Sequence, residues 1–342
     1  MAAVDTPLSH HFAVSADGTK LSYYTVGSGP AALVLHGSMS YALTHKELAL
    51  ALSPYYTVHI ASRRGRGLSG RYSSSVTDVE VLLPTPNTTA NDDNSATLQV
   101  GDKTYPRVYR PEFTAAVLAT ESADLTALLS ATGAEMLITV SSGALIVLHS
   151  LLQARAEISC IKKIIVFEPP IFFTDRPSAA DLTLLRRFEE QHAEGDVPAA
   201  MVSAMRLVQL GPGWIPTWIM KALVGVMIRA QDKKQQSEDG VTSMRGLGEM
   251  LRYDFSIAEG MIAPAERLGV VVAAEKGVEI MLLSGGKSPM YMQQGMAALA
   301  EVLPRAKSVV IPGVGHEVLC GKDMRGQPGK AVPVIRELFG SG

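Results

Sequence analysis

The amino-acid sequence predicts an α/β fold, with a doubly wound, mostly parallel sheet and a helical cap inserted into it. Short apolar runs of strand length alternate with helical patterns, which is typical of a parallel sheet covered by helices on both faces. One long block, residues 173–255, is helical and has no convincing strand. The chain of 342 residues is 47% hydrophobic, which is enough to bury a large core. We therefore expect an α/β core over residues 1–172 and 256–342, and a helical cap over 173–255.

Local patterns predict the first elements. Asp17-Gly18 is a strong tight-turn signal, so residues 11–26 are expected to form a hairpin. The short apolar run Ala31–Leu35 is typical of a buried parallel strand. A helix over Lys46–Leu52 and a strand over Tyr56–Ala61 follow.

Residues 72–111 interrupt this alternation with a stretch rich in Ser, Thr, Asn, Asp and Pro. A structureless loop of this length is uncommon inside a compact domain, so we interpret the stretch as an insertion. A hairpin is expected within it at Thr97–Val108, turning at Gly101-Asp102. The insertion is either a mobile surface loop or a flap that contacts substrate.

The alternation resumes after residue 111. The predicted elements are a helix over Phe113–Ala131, a strand over Met136–Val140, a helix over Gly143–Arg155, strands over Ile161–Phe167 and Val278–Ser284, a helix over Tyr291–Leu303, a strand over Ser308–Pro312 and a last helix over Ala331–Phe339.

The most informative motif lies between the strand and the helix that meet at Ser141. The sequence Thr139-Val140-Ser141-Ser142-Gly143 is close to G-x-S-x-G, the sharp strand-to-helix turn that lifts a nucleophilic serine out of a sheet. Thr139 occupies the place of the first glycine. To act as a nucleophile, a serine hydroxyl needs a base, a group that orients the base, and donors for an oxyanion.

His316 is the candidate base, because it follows the last predicted strand on a glycine-rich loop. The candidate orienting acid is Glu168, which ends an apolar strand, where an unpaired carboxylate would be costly to bury. The more usual position, after the strand that ends at Ser284, holds Ser288 and no carboxylate. The alternative for Glu168 is a structural role, accepting hydrogen bonds from backbone amides.

Two backbone N–H groups are expected to form the oxyanion hole. One belongs to Ser142, at the start of a helix whose dipole favours negative charge. The other follows His36-Gly37 and is assigned to Ser38, with Met39 as the alternative. Gly37 would let the backbone approach the substrate closely.

The helical block is rich in methionine and contains Trp214 and Trp218 on either side of Pro216. We expect Gly37, Met205, Trp214 and Trp218 to line a malleable apolar pocket, although such residues can also pack in a core. The run Arg63-Arg64-Gly65-Arg66-Gly67 lacks P-loop spacing, so its arginines are expected to pair with carboxylates near the site.

Composition restricts the function further. The net charge of −2 shows no electrostatic footprint for nucleic acid or for an anionic membrane. Two cysteines provide neither a disulfide framework nor a thiolate metal site. No run of 18 apolar residues and no signal peptide is visible, so we expect a cytoplasmic protein. We expect no cofactor and no metal, a small apolar substrate, and a surface neutral enough to allow a homodimer.

Taken together, these motifs resemble the α/β-hydrolase superfamily over residues 10–72, 111–172 and 256–340. The motifs that carry the resemblance are, in chain order, His36-Gly37, Arg63-Arg64-Gly65-Arg66-Gly67, Val140-Ser141-Ser142-Gly143, Phe167-Glu168-Pro169-Pro170, Gly285-Gly286-Lys287-Ser288-Pro289 and Gly315-His316. The sequence is most similar to a branch with a Ser-Ser-Gly elbow and Glu-Pro-Pro after the sixth strand.

The resemblance implies a triad and a reaction. Ser141 would be the nucleophile, His316 the general base and acid, and Glu168 the residue that orients His316, while Ser38 and Ser142 would supply the oxyanion N–H groups. The expected activity is cleavage of an ester, lactone or thioester through an acyl-enzyme. The alternatives are a lyase, cyclase or carbon–carbon hydrolase that uses His316 as base, and a non-catalytic ligand-binding protein of the same fold.

Overall fold

The computed structural model describes residues 7–78, 97–100, 103–153, 159–171, 178–210, 214–235, 240–262 and 277–340. Within these residues, eight strands form one sheet in the order β1-β2-β4-β3-β7-β8-β9-β10, and only β2 runs against the others. The strands are β1 Ser9–Val14, β2 Lys20–Val26, β3 Ala31–Leu35, β4 Thr57–Ala61, β7 Met136–Val140, β8 Lys163–Phe167, β9 Glu279–Gly285 and β10 Lys307–Ile311. The predicted fold class is confirmed.

Helices cover both faces of the sheet. They are α1 Lys46–Leu52, α2 Ser74–Thr77, α3 Pro111–Thr132, α4 Ser142–Leu152, α5 Ala179–Ala193, α6 Val197–Leu207, α7 Thr217–Gln235, α8 Met244–Glu249, α9 Leu251–Gly260, α10 Met290–Val302 and α11 Pro328–Phe339. None of the helices in the described ranges is long and apolar enough to cross a membrane.

Each central strand buries both faces, which explains why its sequence is a continuous apolar run. In β7, Leu137 packs in a core shared with α3 and α4, whereas its neighbour Ile138 packs in a second core shared with α1 and α11. In β8, Ile164 likewise packs in the first core and Ile165 in the second. The carboxyl ends of these parallel strands therefore meet at one edge of a rigid sheet, where a doubly wound fold gathers its functional groups.

The insertion contains the predicted hairpin. Strands β5 (Thr97–Val100) and β6 (Lys103–Pro106) pair antiparallel and form a separate two-stranded sheet. The polar stretch 79–96 and the turn at Gly101-Asp102 lie outside the described residues.

In the described part of the segment between β8 and β9, where the sequence predicts a cap, lie helices α5 to α9. Helices α6 and α7 bury a small apolar cluster of their own, which includes Met201 and Met220. Helix α9 contributes to the main core, where its Leu251 and Ile257 pack together with residues of α5 and α6. The predicted boundary at residue 255 thus falls inside a helix that is anchored to the core.

Candidate active site

Ser141 lies at the turn between β7 and α4 in a strained backbone conformation, with φ 53° and ψ −124°. A non-glycine residue holds such angles only where its surroundings impose them, as in a nucleophile elbow. The Ser141 N–H donates to Phe167 O at 2.8 Å. A Cβ atom on Gly37 would lie 2.6 Å from Ser141 Cβ, and one on Gly143 would lie 2.5 Å from His36 O. The tight packing of β3 against the elbow therefore requires both glycines.

Thr139 fits the elbow although glycine is more common there. It is the fourth residue of β7, where a β-branched side chain suits the pleated strand. Its fully buried hydroxyl donates to Ile165 O at 2.7 Å, so no polar group is left unsatisfied.

His316 and Glu168 are brought together from loops that are 148 residues apart. His316 Nδ1 lies 2.7 Å from Glu168 Oε2, and the Gly285 N–H donates to Glu168 Oε1 at 2.7 Å. The Glu168 side chain is fully buried and its φ is 44°, whereas the imidazole is 29% exposed. When Nδ1 carries the proton that Glu168 accepts, Nε2 is left to accept another. The ring also stacks on Phe167, with centroids 5.7 Å apart.

His36, the other histidine beside a glycine at a strand end, has a structural role. Its Nδ1 donates to Gly37 O at 2.7 Å, and its Nε2 accepts from the Arg63 N–H at 3.0 Å. Burial, together with the nearby charges of Arg66 and Arg63, holds the pKa of His36 well below its usual range. The neutral ring therefore ties the loop after β3 to the loop after β4.

The residues expected to form an oxyanion hole surround Ser141. Ser38, Met39 and Ser141 line the same cavity. Met39 has φ 54°, so the loop after β3 turns sharply at this point. Ser142 is the first residue of α4, where an N–H has no partner within the helix.

The three arginines of the Arg63–Gly67 run are buried and paired, as the sequence indicates. Arg63 Nη2 lies 2.6 Å from Glu121 Oε1, and Arg63 Nη1 lies 2.7 Å from Asp254 Oδ1. Arg66 Nη2 lies 2.6 Å from Asp254 Oδ2. Arg64 Nε lies 2.6 Å from Asp124 Oδ2. Burial alone would lower the pKa of Arg63, but the nearby carboxylates of Glu121 and Asp254 raise it. The resulting pKa lies well above its usual range.

A cavity of about 210 Å³ opens beside Ser141 and His316. Its wall is mostly apolar and combines sheet-edge loops with helices α5, α6 and α9. The lining residues are Ser38, Met39, Ser141, Pro170, Asp181, Leu182, Leu185, Met201, Ala204, Met205, Leu207, Val208, Leu210, Leu251, Asp254, Phe255, Ala258, Glu259, Ile262, Pro289, Tyr291, Met292 and His316.

The residues predicted to line the pocket lie in different places. Met205 lines the cavity, whereas Gly37 packs behind Ser141 and is not part of the wall. Trp214 and Trp218 are 82% and 73% exposed, and neither lines the cavity. Helix α7 buries the side that carries Met220, and Trp218, two positions earlier, projects about 200° away around the helix.

Comparison with known proteins identifies the fold family. The model of the alpha/beta hydrolase family matches residues 32–323, most of the chain. The chain belongs to the alpha/beta hydrolase family. No curated protein sequence matches it.

Solved structures of this hydrolase fold cover nearly the whole chain. An alpha/beta hydrolase from Sphaerobacter thermophilus is 23% identical, with a TM-score of 0.65, and the match covers 96% of this chain and 100% of that one. A thermophilic esterase from Thermogutta terrifontis is 17% identical, with a TM-score of 0.58 and coverage of 97% and 98%. An esterase from a Rhodococcus species is 15% identical, with a TM-score of 0.56 and coverage of 98% and 100%. At these identities the likeness shows the shared fold.

Sequence reasoning missed most of the cavity wall of this hydrolase, including two carboxylates on α9. Asp254 and Glu259 both lie on α9 and line the cavity. No local motif marks them, because each faces the site only through the packing of α9 against α3 and α4. The available signal is weak: Asp254 lies near the end of the block predicted as helical, where burial of a carboxylate would demand partners, and Glu259 lies beyond that block.

Proposed function

We propose that this alpha/beta hydrolase is a cofactor-independent serine hydrolase that cleaves an ester, lactone or thioester of a small apolar substrate. The observation that carries the proposal is the buried Glu168 carboxylate, which holds His316 Nδ1 at 2.7 Å in a cavity that also contains Ser141. A fully buried carboxylate needs a strong reason, and orienting a catalytic imidazole is one.

In the proposed mechanism, Ser141 Oγ attacks the carbonyl carbon while His316 Nε2 takes its proton. The resulting oxyanion would accept hydrogen bonds from the N–H groups of Ser142 and of Ser38 or Met39. His316 then gives its proton to the leaving group, and an acyl-Ser141 ester forms. Water activated by His316 releases the acid and restores Ser141. Glu168 accepts the Nδ1 proton's hydrogen bond throughout and stabilises the imidazolium.

The cavity wall supports the substrate class. Its Leu, Met, Val and Phe side chains favour an apolar acyl or alcohol group over a charged one. We propose that the helices between β8 and β9 act as a cap that selects this group. Two structural neighbours are named as esterases, and a third is a thioesterase domain from the curacin biosynthetic pathway, with a TM-score of 0.54. Their named activities are consistent with acyl transfer to water on this fold.

A fluorophosphonate probe tests the proposal directly, because it phosphonylates a serine only when that serine is activated. The native protein should be labelled at Ser141, and the heat-denatured protein should not. Ser141→Ala should abolish labelling and hydrolysis of p-nitrophenyl butyrate, and His316→Ala should slow both by orders of magnitude. A native protein that stays unlabelled would overturn the proposal. Turnover that survives in Ser141→Ala but not in His316→Ala would favour chemistry in which His316 acts alone.

A further inference from the structure

A chain of side-chain hydrogen bonds runs beneath the candidate oxyanion hole. Ser38 Oγ donates to Ser142 Oγ at 3.3 Å, and Ser142 Oγ donates to Asp254 Oδ1 at 2.8 Å. Arg63 Nη1 donates to Ser142 Oγ at 3.0 Å. A hydroxyl has one proton to donate and two lone pairs to accept with, so these three bonds use the full capacity of Ser142. A fully satisfied hydroxyl has one orientation.

Asp254 anchors this chain of hydrogen bonds. It is fully buried on α9, 112 residues after Ser142. Arg63 and Arg66 each donate to a different carboxylate oxygen, at 2.7 and 2.6 Å. Burial alone would raise the pKa of Asp254, but the two arginines hold it below its ordinary value. The carboxylate is therefore ionised and immobile at neutral pH.

The two serines in this chain of hydrogen bonds, Ser38 and Ser142, are residues whose backbone N–H groups would bind the oxyanion. Such donors are effective only when they are held close to the position of the developing charge, and small displacements are costly. We propose that Asp254 is a positioning residue for the oxyanion hole. Through the Ser142 hydroxyl, and from there to Ser38, it sets the separation of the loop after β3 and the start of α4. The inference rests on the proposed function, since it assigns a role within the same reaction.

The protein contains a second buried Ser–Asp–Arg cluster, which serves as a matched control for Ser142, Asp254 and Arg63. The Ser15 hydroxyl donates to Asp124 Oδ1, and Arg64 donates to the same carboxylate at 2.6 and 2.8 Å. Ser15 and Asp124 are buried, like Ser142 and Asp254. Ser15, Asp124 and Arg64 do not line the cavity. Removing the Ser15 hydroxyl thus perturbs the same kind of buried Ser–Asp–Arg cluster without touching the site.

The test compares Ser142→Ala with Ser15→Ala in the full chain. The measurements are kcat and KM for p-nitrophenyl butyrate, the rate constant for fluorophosphonate labelling, and the thermal midpoint. Ser142→Ala keeps its backbone N–H and should lower kcat and the labelling rate constant by about tenfold or more, with KM within about twofold of the wild type. Ser15→Ala should lower the thermal midpoint by a similar amount and leave kcat and labelling unchanged.

Asp254→Asn provides the second variant. It keeps the shape of the side chain but removes the charge that Arg66 and Arg63 Nη1 face, while Arg63 keeps its ion pair with Glu121. We expect a fall in kcat at least as large as that of Ser142→Ala, again without a matching rise in KM. If Asp254→Asn does not accumulate as folded protein, Ser142→Ala decides the question.

Two outcomes would overturn the inference while the proposed function stands. One is a Ser142→Ala protein that is labelled and turns over at the wild-type rate. The other is an equal loss of kcat in Ser142→Ala and Ser15→Ala, which would indicate a general loss of stability. Failure of the proposed function has a different signature, because the wild-type protein itself would then be unlabelled and inactive, and the inference would fall with it.

Discussion

The two walls of the cavity are built on different principles. The sheet-edge wall carries Ser141, Met39 and His316 on short loops, where positive φ angles and hydrogen bonds fix each group. The helical wall carries apolar side chains such as Leu185 and the flexible Met201. Rigid polar geometry suits bond-breaking, whereas an adaptable apolar surface suits substrate selection. We therefore expect changes in the first wall to alter kcat and changes in the second to alter the preferred substrate.

Among changes that leave Ser141 and His316 in place, Glu168→Gln should have the largest effect, because it removes the charge that orients His316. We expect kcat to fall by a factor of about 10²–10⁴, with KM little changed, in assays with p-nitrophenyl butyrate. Glu189→Gln is a suitable control, since Glu189 is a buried glutamate that accepts from Tyr109 Oη at 2.6 Å and pairs with Arg252 at 3.3 Å. Equal losses of kcat in the two variants would argue against a special role for the sheet-edge wall.

The helical wall is tested by two methionines of the same apolar cluster. Met201 and Met220 are 5% and 6% exposed, but only Met201 lines the cavity. Met201→Ala should shift kcat/KM toward longer acyl p-nitrophenyl esters by about tenfold. Met220→Ala should not shift this preference, although both variants should be destabilised by about 2–5 kcal/mol. A shift in acyl-chain preference in both variants, or in neither, would contradict the assignment of substrate selection to the helical wall.

Glu259 lies on the helical side and predicts a pH dependence of stability. Burial is the main cause that raises its pKa from 4.5 to about 7, opposed by Arg107 and by hydrogen bonds that include the Val108 N–H. Because the folded-state pKa is above the unfolded one, its contribution to stability is full below about pH 4.5 and is lost as the pH rises to about 7. The resulting loss in the free energy of unfolding should be about 3 kcal/mol.

Glu259→Gln should remove this dependence. The difference in the free energy of urea unfolding between the variant and the wild type should therefore favour the variant more at pH 8 than at pH 5. Measuring both proteins at both pH values cancels the other titrating groups. A difference that does not change with pH would show that Glu259 is ionised normally in the folded state.

The sequence predicts the sheet-edge wall well, because its residues are set by local constraints. The bounds of β3 and β7 agree with the runs Ala31–Leu35 and Met136–Val140, since a strand buried on both faces is almost entirely apolar. The choice of Glu168 over the position of Ser288 follows from the cost of burying an unpaired carboxylate at a strand end. Each inference needs only the residues of one strand and its exit.

The helical wall could not be predicted in the same way. Asp254 reaches Ser142 only because α9 packs against α4, and nothing in the sequence around residue 254 encodes that contact. The prediction for Trp218 rested on hydrophobicity, which does not say which face of a helix is buried, and Trp214 lies before the start of α7. In α7 the buried face is determined by Met220, Val224 and Ile228, at positions i, i+4 and i+8.

Trp218→Ala should have the smallest effect, and it tests the exposed side of the same helices. Since its side chain is 73% exposed and outside the cavity, we expect a change in the free energy of unfolding of less than about 0.5 kcal/mol. The ester preference should match that of the wild type, in contrast to Met201→Ala. A change in acyl-chain preference on removing Trp218 would mean that the outer face of α7 closes over the substrate during turnover. In that case the helical wall would extend beyond the residues that line the cavity, and selection would depend on movement as well as on shape.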